Sequence, residues 1–268
     1  MPTVSGSTLA GMFLQIGIVL IWLIAVFVYA RKRERIGMKP VLVGAAVFLL
    51  FSQVLEKLLH VYMLQLNPAS AALLQNGWMY AVYGALAAGI FEELGRYVGL
   101  RWWLKRRRSF SDGIAFGLGH GGFEALLIGV VGGIQSVVMA LMYNAGTLQQ
   151  SLGGKLPAEA ADALVRQLTG TPLSSFLLAG FERIPAMLLH VALSLLVLQG
   201  VRASRFRYVG YAIAAHALVD FFPALYQKQM LSLAAVEVIL LAAGIGSLLY
   251  IRYMKRTYGS AWNERPAD

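Results

Sequence analysis

The chain has 268 residues, 58% hydrophobic and only 13% charged, and its mean hydropathy of +0.65 is too high for a soluble domain of ordinary composition. A net charge of +10 would suit nucleic acid, but the basic residues sit in short clusters beside apolar segments, where they act as topogenic signals, so nucleic acid is excluded as a partner. There is no cysteine, which removes disulfides, thiolate metal sites and cysteine nucleophiles together and leaves Glu, Asp, His or hydroxyls to carry any chemistry.

Crossing a hydrocarbon core of about 30 Å takes roughly 20 helical residues, and seven stretches qualify, predicting an all-α, polytopic membrane helical bundle. The first covers residues 9–30. Its basic run, 31–35, follows it rather than preceding it as in a signal peptide, so it is expected to remain as a transmembrane helix. The second covers 41–66 and the third 77–100. The fourth, 112–143, is longer than one crossing needs and is expected to tilt or to bend at Gly132-Gly133, since paired glycines are a common kink site. A polar stretch, 144–172, follows, with a short surface helix expected at 157–168. The fifth span covers 173–199, the sixth 208–226 with Pro223 near its end, and the seventh 231–251. No separable soluble domain or internal repeat stands out, so residues 1–268 read as a single integral-membrane domain.

Lysine and arginine orient this arrangement, because cytoplasmic loops are enriched in them. Seventeen basic residues fall in the loops and tail of one side, in clusters around 31–39, 101–108, 202–207 and 252–265, and only Lys155, Arg166 and Lys228 fall on the other. The N-terminus is therefore expected outside, the C-terminus in the cytoplasm, and the 144–172 loop on the extracytoplasmic side.

The organising stretch is Ile90-Phe91-Glu92-Glu93-Leu94-Gly95-Arg96, two carboxylates and an arginine inside an apolar run. A charged side chain near the bilayer centre costs about 2.5–3.5 kcal/mol on insertion scales, so an intramembrane acidic pair is a functional hypothesis by default. Counting about 1.5 Å per residue from the basic end of each span puts Glu92, Glu93, His120, His190 and His216 at one level, about 10–14 Å below the surface. Agreement across four successive helices points to one site. Glu92 and Arg96 are four apart and can share a helix face, with Glu93 turned about 100° away. His120 and Glu124 are likewise four apart, as are His216 and Asp220, so each carboxylate can support its imidazole for proton transfer, oxyanion binding or metal ligation. A glycine row, Gly113, Gly117 and Gly121, would let another helix approach closely and could bring His120 beside the glutamates.

Other polar groups have plainer readings. Glu56, His60 and Glu237 fall away from this level and read as structural or interfacial; Trp102, Trp103 and Tyr253 read as interfacial anchors. Glu182 lies deeper than His190, with Arg183 as an ion-pair partner, and reads equally as support for the site or as structure. A single intramembrane His or Glu is more often a buried interhelical hydrogen bond than a catalyst. Packing explains less well four helices that each bury a polar group at one level.

At these residues the chain resembles the YhfC-like family of glutamic-type intramembrane proteases, related to the CAAX-processing and bacteriocin-processing enzymes and the PrsW-like proteins. The resemblance runs over nearly the whole chain and is carried by Glu92-Glu93-Leu94-Gly95-Arg96, FGLGHGGFE from Phe116 to Glu124, Glu182 to His190 in FERIPAMLLH, and His216-Ala217-Leu218-Val219-Asp220. It implies hydrolysis of peptide bonds in membrane protein or peptide substrates, in a multi-pass protein of the bacterial plasma membrane. On that resemblance Glu92, or less readily Glu93, activates water without a cofactor, and Arg96 orients the pair. His120 and His216 polarise the scissile carbonyl or stabilise the oxyanion, Asp220 supports His216, and His190 completes the cavity. Two residues instead of three separate Glu93 from Arg96, and Asp220 stands where the CAAX-processing pattern commonly has asparagine, which places the chain in a side branch.

Two other readings remain open. Three histidines with one open position are a familiar catalytic zinc arrangement, with His120, His190 and His216 as ligands and Glu92 or Glu93 as base, although no H-E-x-x-H stretch is present. Rows of Glu, His and Asp also build the proton relays of coupled transporters, and a noncatalytic membrane scaffold could keep the same helices.

Overall fold

The computed structural model describes residues 3–152 and 158–262, and all regular structure among them is helical. The long helices are α1 (Gly6–Arg33) and α2 (Met38–Leu66). A short α3 (Pro68–Leu73) leads to α4 (Gly77–Val98), which continues through a π-helical turn, Gly99–Trp103. Then come α5 (Phe110–Asn144) and the shorter α6 (Leu148–Leu152) and α7 (Ala158–Gly170). The chain returns through α8 (Leu173–Arg202), α9 (Arg207–Gln227) and α10 (Leu233–Tyr258). The expected surface helix is α7; Pro157, its expected start, lies outside the described residues.

Several helices run past the limits their hydropathy predicts, for local reasons. Helix α1 extends through Arg31, Lys32 and Arg33, where basic side chains complement the negative end of the helix dipole. Helix α2 begins before Pro40, because a proline in the first turn gives up only an amide with no intrahelical partner. Asn76 caps α4, its side chain accepting from Trp78 N and Met79 N at 3.0 and 3.2 Å. Helix α8 breaks at Glu182 into Leu173–Phe181 and Arg183–Arg202. Pro185 accounts for the break, since it cannot donate to the Phe181 carbonyl one turn back. In α5 the irregularity is a π-helical stretch, Leu126–Val131, immediately before the glycine pair at which a bend is expected.

Six of these helices, α1, α2, α5, α8, α9 and α10, are long and apolar enough to cross a membrane. Helix α4 is not among them. Its 22 residues would reach about 33 Å, but Glu92, Glu93 and Arg96 lower its hydropathy. The helix that falls short as an apolar segment is the one that carries the acidic pair.

The chain divides into two compact units. Met1–Val26 with Ala125–Ile184 form one, built on Val4, Met12, Val137, Ala140, Leu148 and Leu168. In it the Asn144 side chain accepts from Val4 N at 2.7 Å and donates to Val4 O at 3.2 Å. Phe27–Glu124 with Pro185–Asp268 form the other, and its helices meet where glycines remove side chains. A Cβ on Gly117 would lie 2.6 Å from Val191 Cα of α8, and one on Gly121 would lie 2.9 Å from His190 Cβ. The row Gly113, Gly117, Gly121 therefore abuts α8, not α4. Helix α2 crosses α5 at Gly44, against the Phe116 carbonyl, and α4 crosses α9 at Gly89, where a Cβ would lie 2.9 Å from the Ile213 carbonyl oxygen.

These crossings make a prediction that thermal denaturation in detergent can check. Gly117→Ala pushes on backbone and should destabilise the protein by about 1–3 kcal/mol. Gly84→Ala, with no atom within 4 Å of the added carbon, should melt with the parent or above it.

Candidate functional site

Within the second unit, α4, residues 110–124 of α5, residues 185–202 of α8 and α9 bring Glu92, Glu93, Arg96, His120, His190 and His216 into one buried cluster. Glu93, Arg96 and His120 are 0% exposed, and Glu92, His190 and His216 are buried as well. Bringing so many polar groups out of water is tolerable only if each finds a partner, and the partners give the two glutamates different duties.

Glu93 is fully engaged. Arg96 donates to it through Nε at 2.8 Å and Nη2 at 3.1 Å, and His216 Nδ1 lies 2.8 Å from its Oε1. Because a carboxylate only accepts, His216 carries a proton on Nδ1 and turns Nε2 toward Glu92 Oε2, 3.8 Å away. The other arm of Arg96 reaches α8, with Nη1 donating to the His190 carbonyl at 3.0 Å and to Ser194 Oγ at 2.7 Å. Ser194 Oγ donates onward to the same carbonyl at 2.7 Å. The arginine therefore pairs with Glu93 three residues back, and the expectation that it holds Glu92 is corrected. Acceptors on α8 decide the direction of the fork, since both spacings allow contact along one helix.

Glu92, freed from Arg96, faces the imidazoles. Its Oε2 lies 2.9 Å from His120 Nε2 and 3.8 Å from His190 Nδ1. His120 packs edge-on against Phe48, with ring centroids 5.2 Å apart, and its Nδ1 is buried with no hydrogen-bond partner. Glu124 contacts His190 Nε2, not His120, which corrects the second pairing read from spacing. His190 Nδ1 in turn faces Arg96 Nη2 at 3.2 Å. Asp220 Oδ2 lies 3.3 Å from His216 Nε2, and its side chain, 38% exposed, forms the open edge of the cluster.

The remaining candidates lie elsewhere. Glu182 belongs to the first unit, where Arg183 Nη2 donates to it at 3.2 Å. Glu56 and His60 pair at 3.1 Å, and His60 Nδ1 meets the Tyr83 hydroxyl at 2.8 Å. Ser194 and Phe48 are the participants that sequence reasoning missed. Ser194 lies one turn after His190 and so on its face, the one available signal.

One donor atom each from Glu92, His120 and His190 lies within 4.8 Å of the others, a grouping able to hold a metal ion. Bonds of about 2.0–2.1 Å in a tetrahedral site separate donors by about 3.3 Å, and the observed 2.9 and 3.8 Å bracket that spacing. His120 presents Nε2 to Glu92 and leaves Nδ1 buried with no hydrogen-bond partner, and Glu124 gives His190 the carboxylate support typical of a ligating imidazole. The donor types fit the group, with His190 Nδ1 exchanging its 3.2 Å contact with Arg96 Nη2 for the ion. Glu92 joins His120 and His190 in this set, whereas the three-histidine reading put His216 there.

Removing Arg96 would leave Glu93 as a buried, unmatched charge. Arg96→Ala should cost about 3–5 kcal/mol of stability, and Glu93→Leu combined with Arg96→Met should recover part of it, as measured by thermal melting in detergent.

No solved structure matches the chain. The chain is 38% identical over 236 residues to the uncharacterized membrane protein YhfC of Bacillus subtilis (strain 168), covering 88% of this chain and 92% of that protein. Residues 17–241 match the family described as YhfC intramembrane metalloprotease. That description favours the metal-dependent reading over the expected cofactor-free, glutamic-type one. With its apolar helices, the chain is a multi-pass integral membrane protein, and it belongs to the YhfC intramembrane metalloprotease family.

Proposed function

We propose that this protein is a zinc-dependent intramembrane protease that hydrolyses peptide bonds of membrane-embedded substrates, with Glu92, His120 and His190 holding the ion. The observation that carries the reading is the buried grouping of those three donors, in a chain whose family is described as intramembrane metalloproteases. The carboxylate and imidazole donors suit zinc, and the absence of cysteine leaves no thiolate alternative. When bound, the ion would supply a Lewis acid to polarise a scissile carbonyl and to activate water.

The chain's own residues divide the rest of the work. Arg96 and Glu93 fix the geometry: the guanidinium ties α4 to α8, and Glu93 holds the His216 ring by Nδ1. His216 Nε2 is then aimed between Glu92 and Asp220. With both ring nitrogens facing carboxylates, it donates from Nε2 to the developing oxyanion, while Asp220 takes a proton from the attacking water and returns it to the leaving amide nitrogen. Glu124 orients His190. Asp220, at the exposed edge, receives the substrate. Helix α4 serves as a seventh span, and the basic loops face the cytoplasm.

The test uses protein reconstituted in lipid and a library of membrane peptides read by mass spectrometry. Chelation should abolish cleavage and zinc should restore it, while folded Glu92→Gln and His120→Ala variants stay inactive. Glu124→Ala should bind zinc about 10–100-fold more weakly. Cleavage that continues unchanged after chelation would sink the metal reading.

A further inference from the structure

A second site lies where three helices end. The last residues of α1, the first turn of α5 and the end of α10 enclose a cavity of about 430 Å³, lined by Arg33, Glu34, Arg35, Ser111 and Lys255 among others. Arg33, Arg35 and Lys255 set three positive charges against the single carboxylate of Glu34. Glu34 Oε1 accepts from Lys255 Nζ at 2.5 Å, closing one wall. Asp112, the acidic residue in the first turn of α5, is occupied by Ser109, whose amide and hydroxyl donate to it at 3.0 and 2.7 Å. The cavity thus keeps a net positive charge, with the hydroxyls of Ser111 and Ser260 as further donors.

Its level in the membrane narrows the ligand. Helices α1, α5 and α10 are each long and apolar enough to cross a bilayer, so the cavity formed at their ends sits at the boundary between hydrocarbon and water. The phosphates of lipid headgroups occupy that boundary, and basic pockets between membrane helices take anionic headgroups. Arg33 and Arg35 are exposed, and guanidinium forks match phosphate oxygens in pairs.

We propose that this cavity binds a phosphate group, presented by an anionic phospholipid of the surrounding bilayer. None of its lining residues takes part in the Glu92 cluster, so the site stands apart from the metal site and does not depend on the protease reading. Free phosphate offers the same chemistry, and the experiment separates the two sources.

Native mass spectrometry of the full chain in detergent, titrated with phosphatidylglycerol, phosphatidylcholine or inorganic phosphate, reads the site directly. Phosphatidylglycerol should bind in preference to phosphatidylcholine. Arg33→Gln combined with Arg35→Gln should weaken it about 25-fold, at about fivefold for each basic contact. Arg106→Gln with Arg107→Gln, exposed basic residues outside the cavity, should leave the preference intact. Inorganic phosphate that binds alone and displaces the lipid, with the same loss in the Arg33/Arg35 variant, would keep the phosphate site and assign it a soluble ligand. Equal binding of the two lipids, or an equal loss in both double variants, would overturn the proposal.

Discussion

The ion pair between Arg96 and Glu93 is the interaction on which the site depends. Both side chains are completely buried, and each charge placed in an apolar helix costs about 2.5–3.5 kcal/mol on insertion scales. That cost is offset only because nearly every donor and acceptor of the pair is used. Arg96 reaches Glu93, Ser194 and the His190 carbonyl, and Glu93 also takes His216. One pair therefore ties α4 to both α8 and α9.

Its chemical consequence is a division of labour between adjacent glutamates. Side chains one residue apart on a helix point about 100° apart, so the commitment of Glu93 to Arg96 and His216 leaves Glu92 facing His120 and His190. A carboxylate already accepting three hydrogen bonds is poorly suited to take a proton or ligate an ion, whereas Glu92 Oε2 has imidazole nitrogens at 2.9 and 3.8 Å. The partly exposed Asp220 and the fully buried His120 give the cluster a direction, from an open edge toward the buried donors.

Much of this was legible in the sequence because bilayer physics leaves few choices. Apolar length gave six helices that match six expected spans, and depth counting gathered His120, His190 and His216 with the glutamates. What stayed hidden was partner choice. Spacing allows Arg96 to reach Glu92 or Glu93 and allows Glu124 to lie beside His120, but acceptors on α8 draw the arginine to Glu93 and place His190 against Glu124. The glycine row was visible as a contact surface, yet only the fold shows that α8 fills it. Ser194 was unreadable for a similar reason, since an isolated serine in an apolar helix has no signature of its own. Helix α4 shows the converse: the residues that lower its hydropathy are those that build the site.

The central claim is that Glu92, His120 and His190 ligate one ion, and X-ray absorption at the zinc edge on the purified, zinc-loaded protein tests it most directly. The account predicts one bound zinc per chain with a shell of oxygen and imidazole nitrogen, and loss of an imidazole contribution in His120→Ala. A protein that retains no stoichiometric zinc, or a spectrum that His120→Ala and His190→Ala leave unchanged, would contradict it.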